Sequence, residues 1–436
     1  SFAYEDRIVV SCTHTHTGPQ TNQYFIGMGH ATDKYMLELI ETIVLTVNDA
    51  IKNREYCRIY YVKTRDFEDI AINRRQRCNN DNNNNNINPN LKWFEISGKT
   101  ILGQRLEGPI IPYAEALVFE TYSTYAALHG SSWVELPNTL HGIIVTYSMH
   151  PTCVGKKTLE SADYCGHLCQ YISSQYKNEP VTMYLNGCCG DINPIDHRSG
   201  YHGARKIGEA LGKRLVEAIN KTRQQGYHNS NYDEIQPYIK CMSMTLNLPL
   251  EPLPTKEEAL KFANQQNEWV QEAEKTFHQQ NKYLHTPKPT AISTTTITTT
   301  TTSTTTIANA GTSSTSEHNN DDDKKEKERK REYEESLPTI EDVLRAPVSC
   351  CEYSLELVKR VQERVNDNMK QSTMQFNVNT ITLGKNLALV FLPGEMFSEY
   401  ELKIKTFSPF QNTICVGYAN GCHGYFPTKA EYPYGG

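Results

Sequence analysis

No run in this sequence approaches the roughly 20 apolar residues that a membrane-crossing helix needs, so no segment reads as a span. An excess of basic charge is also missing. Lys and Arg number 44 against 50 Asp and Glu, the net charge is −6 and the pI is near 6.2, which removes the electrostatic footprint of a nucleic-acid binder. The thirteen cysteines form no CxxC pair. Cys188-Cys189 and Cys350-Cys351 are adjacent in sequence, a spacing ill suited to a bridge within the pair. Most of the cysteines read as buried thiols, with one or two disulfides compatible with an exported protein. No signal peptide is visible. The chain opens inside a strand-like run and stops at Gly435-Gly436, so it reads as an excerpt of a longer protein and the missing leader is uninformative.

What is present is an alternation of strand and helix patterns. The 436 residues are 38% hydrophobic with a mean hydropathy of −0.59. Much of that polarity lies in two biased inserts, which leaves the rest enough apolar surface for a core. Arg7-Ile8-Val9-Val10 reads as a buried strand. Thr32 or Asp33 caps a helix with Met36, Leu37, Ile40, Val44, Val47 and Ile51 at helical spacing. Strands are expected at 58–62, 140–149, 181–185, 238–248 and 413–416, and helices at 162–176 and 204–219. Residues 376–383 and 387–392 form a hairpin around Gly384-Lys385. The Asn tract at 79–90 loops out, and Thr255 starts a helix with Glu258 in capping-box position. The Ser/Thr tract at 294–306 and the charge run at 321–335 hold too little apolar surface to build a core. The expected architecture is α/β, a mixed sheet flanked by helices. A single catalytic domain (1–285 and 337–436) is interrupted by a low-complexity insertion at 286–336.

Chemistry concentrates at strand ends. Thr13-His14-Thr15-His16-Thr17-Gly18-Pro19 follows the first apolar run, and alternation along an extended end puts both imidazoles on one side. His150-Pro151, Pro393-Gly394-Glu395 and Gly424-Tyr425 also lie at or just after predicted strand ends, where open α/β sheets place ligands. Two imidazoles, a carboxylate and a phenolate suit a zinc ion with one position left for water. Each piece also has a plainer reading. The histidines serve as polar strand ends, Glu395 complements a helix N-terminus, Tyr425 is one of 26 tyrosines, and Asp191 is a turn residue.

Taken together and in order, the motifs resemble the neutral/alkaline non-lysosomal ceramidase family. The stretches that carry the resemblance are the Thr13–Pro19 motif, Ile72-Asn73-Arg74, Met149-His150-Pro151-Thr152, Asn186-Gly187-Cys188-Cys189-Gly190-Asp191-Ile192-Asn193-Pro194, and Pro393-Gly394-Glu395. Asn420 to Tyr425, with Thr428 and Glu431-Tyr432, is the sixth. The resemblance implies a zinc amidohydrolase that cleaves the N-acyl bond of ceramide. It implies His14, His150, Glu395 and Tyr425 as Zn2+ ligands and His16 as a proton-transfer group or oxyanion partner beside them. Arg74 would act near the substrate with Asn193, and Asp191 would lie in the motif lining the site. A lipid substrate, association with a membrane surface and a secreted, endomembrane or cell-surface location come with it. The sequence departs from the family in reading Asn193 where true ceramidases have serine, and in stopping just before a further site tyrosine. It also lacks the amino-terminal portion and the C-terminal immunoglobulin-like domain. Two other readings stay open: a zinc hydrolase of another N-acyl or ester substrate, and a catalytically silent surface protein.

Overall fold

The computed structural model describes residues 7–21, 31–65, 67–77, 100–121, 139–155, 160–224, 238–250 and 373–434, with parts of 255–275. The Asn tract, the Ser/Thr tract and the charge run lie outside them. The chain divides into one compact unit of Ser1–Pro254 with Glu363–Gly436, and a second of Thr255–Gln362. In the second unit, helical backbone begins at Lys256. The Thr255 hydroxyl accepts from the Glu258 amide at 3.2 Å and the Glu258 carboxylate accepts from the Thr255 amide at 2.8 Å, which is the expected capping box.

The first unit is built on two four-stranded sheets. One has the order β1-β4-β5-β6, from β1 (Cys57–Arg65), β4 (Tyr113–Thr121), β5 (Thr139–Tyr147) and β6 (Val181–Asn186). β5 and β6 run parallel and the other pairs antiparallel. The other has the order β12-β10-β9-β8, from β8 (Ile239–Pro249), β9 (Thr373–Leu383), β10 (Leu387–Phe391) and β12 (Asn412–Val416). β9 and β10 form the expected hairpin, and β10 pairs parallel with β12. A three-stranded sheet, β3-β2-β7, joins β2 (Ala71–Arg77), β3 (Thr100–Arg105) and β7 (Ile192–Pro194). A two-residue ladder pairs β11 (Glu395–Met396) with β13 (Tyr425–Phe426).

Burial of apolar side chains orders these layers. Helices α2 (Asp163–Ser174) and α3 (Gly200–Gln224) place Leu168, Ile172, Ile207, Leu211 and Leu215 against Tyr60, Val62, Ile143 and Val145 of the first sheet. Its opposite face, with Leu117, Ile59 and Ile144, meets Leu389, Phe391, Ile414 and Val416 of the second sheet. Helix α4 (Ser398–Phe407) packs through Tyr400 and Ile404 with Phe376 and Cys415. Mixed sheets flanked by helices are therefore the fold. Among the described residues the cysteines are unbridged, and Cys153, Cys165, Cys188, Cys189 and Cys415 are buried.

Helix α1 (Asp33–Lys52) forms under its Thr32 cap, as its spacing predicts, but none of its residues is buried. The expected buried strand at 7–10 does not form. Ile8 is 61% and Val10 49% exposed, and the stretch is held by the Ser11–Ala419 bridge and by bonds between Val10 and Asn420 rather than by a ladder. With no partner strand along its length among the described residues, a β-branched run has no ladder to join.

α2 and α3 approach closely at Gly208. A Cβ built there would lie 2.6 Å from the Tyr164 carbonyl oxygen and 2.7 Å from the His167 Cβ. Gly208→Ala is expected to cost about 1–3 kcal/mol by overpacking, although alanine favours an open helix by about 1 kcal/mol. Denaturant unfolding beside the exposed control Lys213→Ala checks this. A stabilised Gly208→Ala would contradict the packing.

Candidate metal centre

Parallel strands end on one side of the two sheets, and the site is assembled from the residues that follow them. His150 comes three residues after β5 and is fully buried. Cys189 follows β6, Glu395 follows β10, and Tyr418 follows β12. Glu395 then pairs directly with Tyr425 across the β11–β13 ladder. The loop after β6 approaches so tightly that a Cβ on Gly190 would sit 2.6 Å from the Glu395 carbonyl oxygen.

The two amino-terminal imidazoles arrive by another route than the expected one. Residues 12–15 are not a strand and His14 has a φ of 66°, so alternation does not align the rings. Instead the loop is pinned by Asn186, which donates to the Thr13 carbonyl, and by Thr15 and Thr17, which donate to the Ser161 carbonyl. The left-handed turn at His14 brings its Nε2 to 3.2 Å from the Nε2 of His16. Nitrogen atoms of His14, His16 and His150 all lie within 4.8 Å of one another.

Tautomers follow from the partners. His150 Nδ1 faces the carbonyl oxygens of Cys189 at 2.6 Å and Ile192 at 3.2 Å. Carbonyls only accept, so Nδ1 carries the hydrogen and Nε2 presents a lone pair. That lone pair lies 3.2 Å from the Glu395 carboxylate, itself an acceptor, and the same oxygen lies 3.4 Å from His14 Nε2. Burial, and next the charge of Arg74, hold His150 well below the ordinary imidazole range, so it stays neutral. Burial raises the Glu395 carboxyl, but the contact with His14 opposes this and the group lies below the ordinary carboxylate range. A ring hydrogen on His14 Nε2 can serve His16 or Glu395 and leaves the His150–Glu395 contact unmet. Nitrogen and carboxylate donors crowded around one point are what a divalent cation requires.

Arg74 reaches in from β2. It donates to the Gly190 carbonyl at 2.8 Å, the Tyr425 hydroxyl at 3.0 Å and the Asn193 side-chain oxygen at 3.3 Å. Tyr425 is half exposed. Burial pushes its phenol up to about 12, with Arg74 opposing and Glu395 reinforcing the rise. The structure therefore brings His14, His16, His150, Glu395, Tyr425 and Arg74 together. Asn193 is buried and holds Arg74. Asp191 does not join the imidazoles. Its buried carboxylate accepts from the Ser398 amide at 2.7 Å, the Ser398 hydroxyl at 2.9 Å and Asn73 at 2.9 Å, anchoring the start of α4.

Sequence reasoning missed Tyr418. Its ring stacks on His14 at 4.1 Å between centroids and 19° between planes. Its hydroxyl donates to Glu395 at 3.4 Å and lies 3.1 Å from the Cys189 sulfur. It thus holds a histidine and the carboxylate at once. Its one sequence signal is its place beside Gly417 after β12.

A scan against protein-family models finds no match, and a search of curated proteins finds none either. Solved structures do match. A crystal structure of neutral ceramidase from Pseudomonas aeruginosa superposes with a TM-score of 0.50 over 98% of this chain. The chain shares the neutral ceramidase fold. Identity to that ceramidase is 15%, and the match covers 56% of its length. A ceramidase complexed with C2 gives the same TM-score and identity, with 57% of its chain covered. The chain thus spans a little over half the length of the ceramidases it matches.

Asp191 gives a pH signature. Burial, opposed by bonds from Ser398, lifts its carboxyl from 3.8 to about 6. A carboxyl raised in the folded state contributes stability that is complete below its unfolded value and is lost as pH rises through its folded value. Relative to Asp191→Asn, the wild type is expected to lose about 2 kcal/mol between pH 4 and pH 7. Urea unfolding of the chelator-treated protein across that range checks it. A flat difference would contradict the assignment.

Proposed function

We propose that this chain is a zinc-dependent hydrolase of ceramide-like N-acyl amides. The observation that carries the reading is the unmet contact between the His150 Nε2 lone pair and the Glu395 carboxylate, set in a neutral ceramidase fold. With the imidazole neutral and the carboxylate ionised the two acceptors repel at that distance, whereas a cation bound by both would join them. The residues suited to hold zinc are His14, His150, Glu395 and Tyr425. When bound, zinc would supply a Lewis acid and bring water to a pKa of about 7.

The protein's own groups account for the rest. His150 is fixed in its ligand-competent tautomer by the Cys189 and Ile192 carbonyls, a supporting bond of the kind that tunes metal ligands. His16 is exposed and adjoins His14, which suits it to carry a proton between attacking water and the departing amine nitrogen. Arg74 holds the Tyr425 oxygen and offers positive charge to an amide oxygen developing negative charge. Asn193 steadies Arg74 from the buried side, so the serine-to-asparagine departure falls on a positioning contact. A lipid substrate presented at a membrane surface follows from the same reading. Among the described residues no helix is long and apolar enough to cross a membrane.

Metal analysis of the full-length protein together with turnover of labelled ceramide tests this, with short N-acyl amides and esters offered in parallel. One zinc per chain is expected, with ceramide preferred and both metal and turnover lost in His14→Ala. Tyr418→Phe, which removes the hydroxyl on Glu395, is expected to weaken zinc by about 10–100-fold. Turnover by metal-free protein would overturn the mechanism, and preference for short amides or esters would overturn the substrate.

A further inference from the structure

Tyr425 reaches the cluster on a strand of only two residues. The β11–β13 ladder consists of Glu395–Tyr425 and Met396–Phe426, closed by the Glu395 amide on the Gly424 carbonyl at 2.9 Å and the Phe397 amide on the Phe426 carbonyl at 3.3 Å. Even a longer two-stranded pair is marginal by itself in water, so something else must fix this segment.

The holding group lies six residues downstream. Glu431 accepts from Arg75 Nε at 2.9 Å, Arg77 Nη2 at 2.7 Å and Arg105 Nη1 at 2.9 Å. Arg75 and Glu431 keep only 9% and 12% of their side chains exposed, where charge-assisted bonds are strong and specific. The Arg77 guanidinium also covers the Tyr434 ring at 3.4 Å, and that of Arg75 lies 5.0 Å from the Phe397 ring. Arg75 and Arg77 share one side of β2, while Arg74, the residue before Arg75, points to the other and holds the Tyr425 oxygen. One strand therefore grips the 425–434 segment twice, at the phenol and at the carboxylate.

We infer that Glu431, clasped by Arg75, Arg77 and Arg105, is a positioning residue that sets Tyr425 against Glu395 and so completes the donor set. The part that concerns metal rests on the function proposed above. The part that concerns the ladder does not.

Glu431→Gln separates the two. In chelator-treated protein, amide hydrogen exchange at Glu395 and Phe397 is expected to quicken at least about tenfold while β5 is unchanged, because local opening follows local contacts. In zinc titrations the substitution is expected to weaken binding about tenfold, and to have no further effect when added to Tyr425→Phe, since both act through one phenol. Arg77→Gln removes one of the three donors and should shift both readouts in the same direction, which keeps the test intact should Glu431→Gln fail to fold. Unchanged exchange at Glu395 and Phe397, or zinc losses that simply add, would overturn the inference. Wild-type protein that takes up no zinc would instead overturn the proposed function, and the exchange measurement would still decide the clasp.

Discussion

Lone pairs that face one another without a hydrogen between them are the constraint on which this structure depends. His150 Nε2 and the Glu395 carboxylate stand 3.2 Å apart, and both are buried. Such a contact persists only where the surroundings impose it. Here the imposing parts are the ends of parallel strands, the two carbonyls that orient the ring, and the Tyr418 hydroxyl on the carboxylate. Much of the fold serves to hold that arrangement.

A buried ionic network lies beneath the same loops. Glu401 accepts from the Ser148 hydroxyl at 2.6 Å and from the Cys188 amide at 3.1 Å, and pairs with Lys405 at 2.9 Å. Lys405 in turn binds Glu115, which accepts from Tyr61 at 2.5 Å. The residues just before His150 and Cys189 are thereby tied to α4 and to the middle of the first sheet. Breaking a buried pair of this kind generally costs about 3–5 kcal/mol, so positional accuracy at the site and stability of the core are joined.

The parts of the fold legible in the sequence are those with a clear apolar period: β1, β5, β6, β8, β9, β10 and β12, and the helices α1, α2 and α3. Strand β4 was hidden because Tyr113–Thr121 carries Glu115 and Glu120 in an otherwise apolar run. Both charges are buried and paired, with Lys405 and Arg223, a compensation that no local pattern reveals. β11 and β13 are too short to have a period. The run at 7–10 had the right residues but joins no ladder among the described residues. At the site, ordered motifs pointed to His14, His16, His150, Glu395, Tyr425 and Arg74, which meet. Tyr418 lies outside those motifs' quoted residues, and Asp191 lies within them yet turns inward to Ser398. Side-chain direction at a loop is set by tertiary bonds, which spacing does not encode.

The register of β8 against β9 has a consequence for how the gene can be remodelled. Pro249 sits opposite Thr373, so the chain leaves and re-enters this sheet on neighbouring strands about 5 Å apart. Closing such a gap costs only about 0.6 kcal/mol more for each doubling of the connecting length. The junction is therefore a natural splice point, where the stretch between could be exchanged for a short turn, or new chain termini opened, with the first compact unit left as it is.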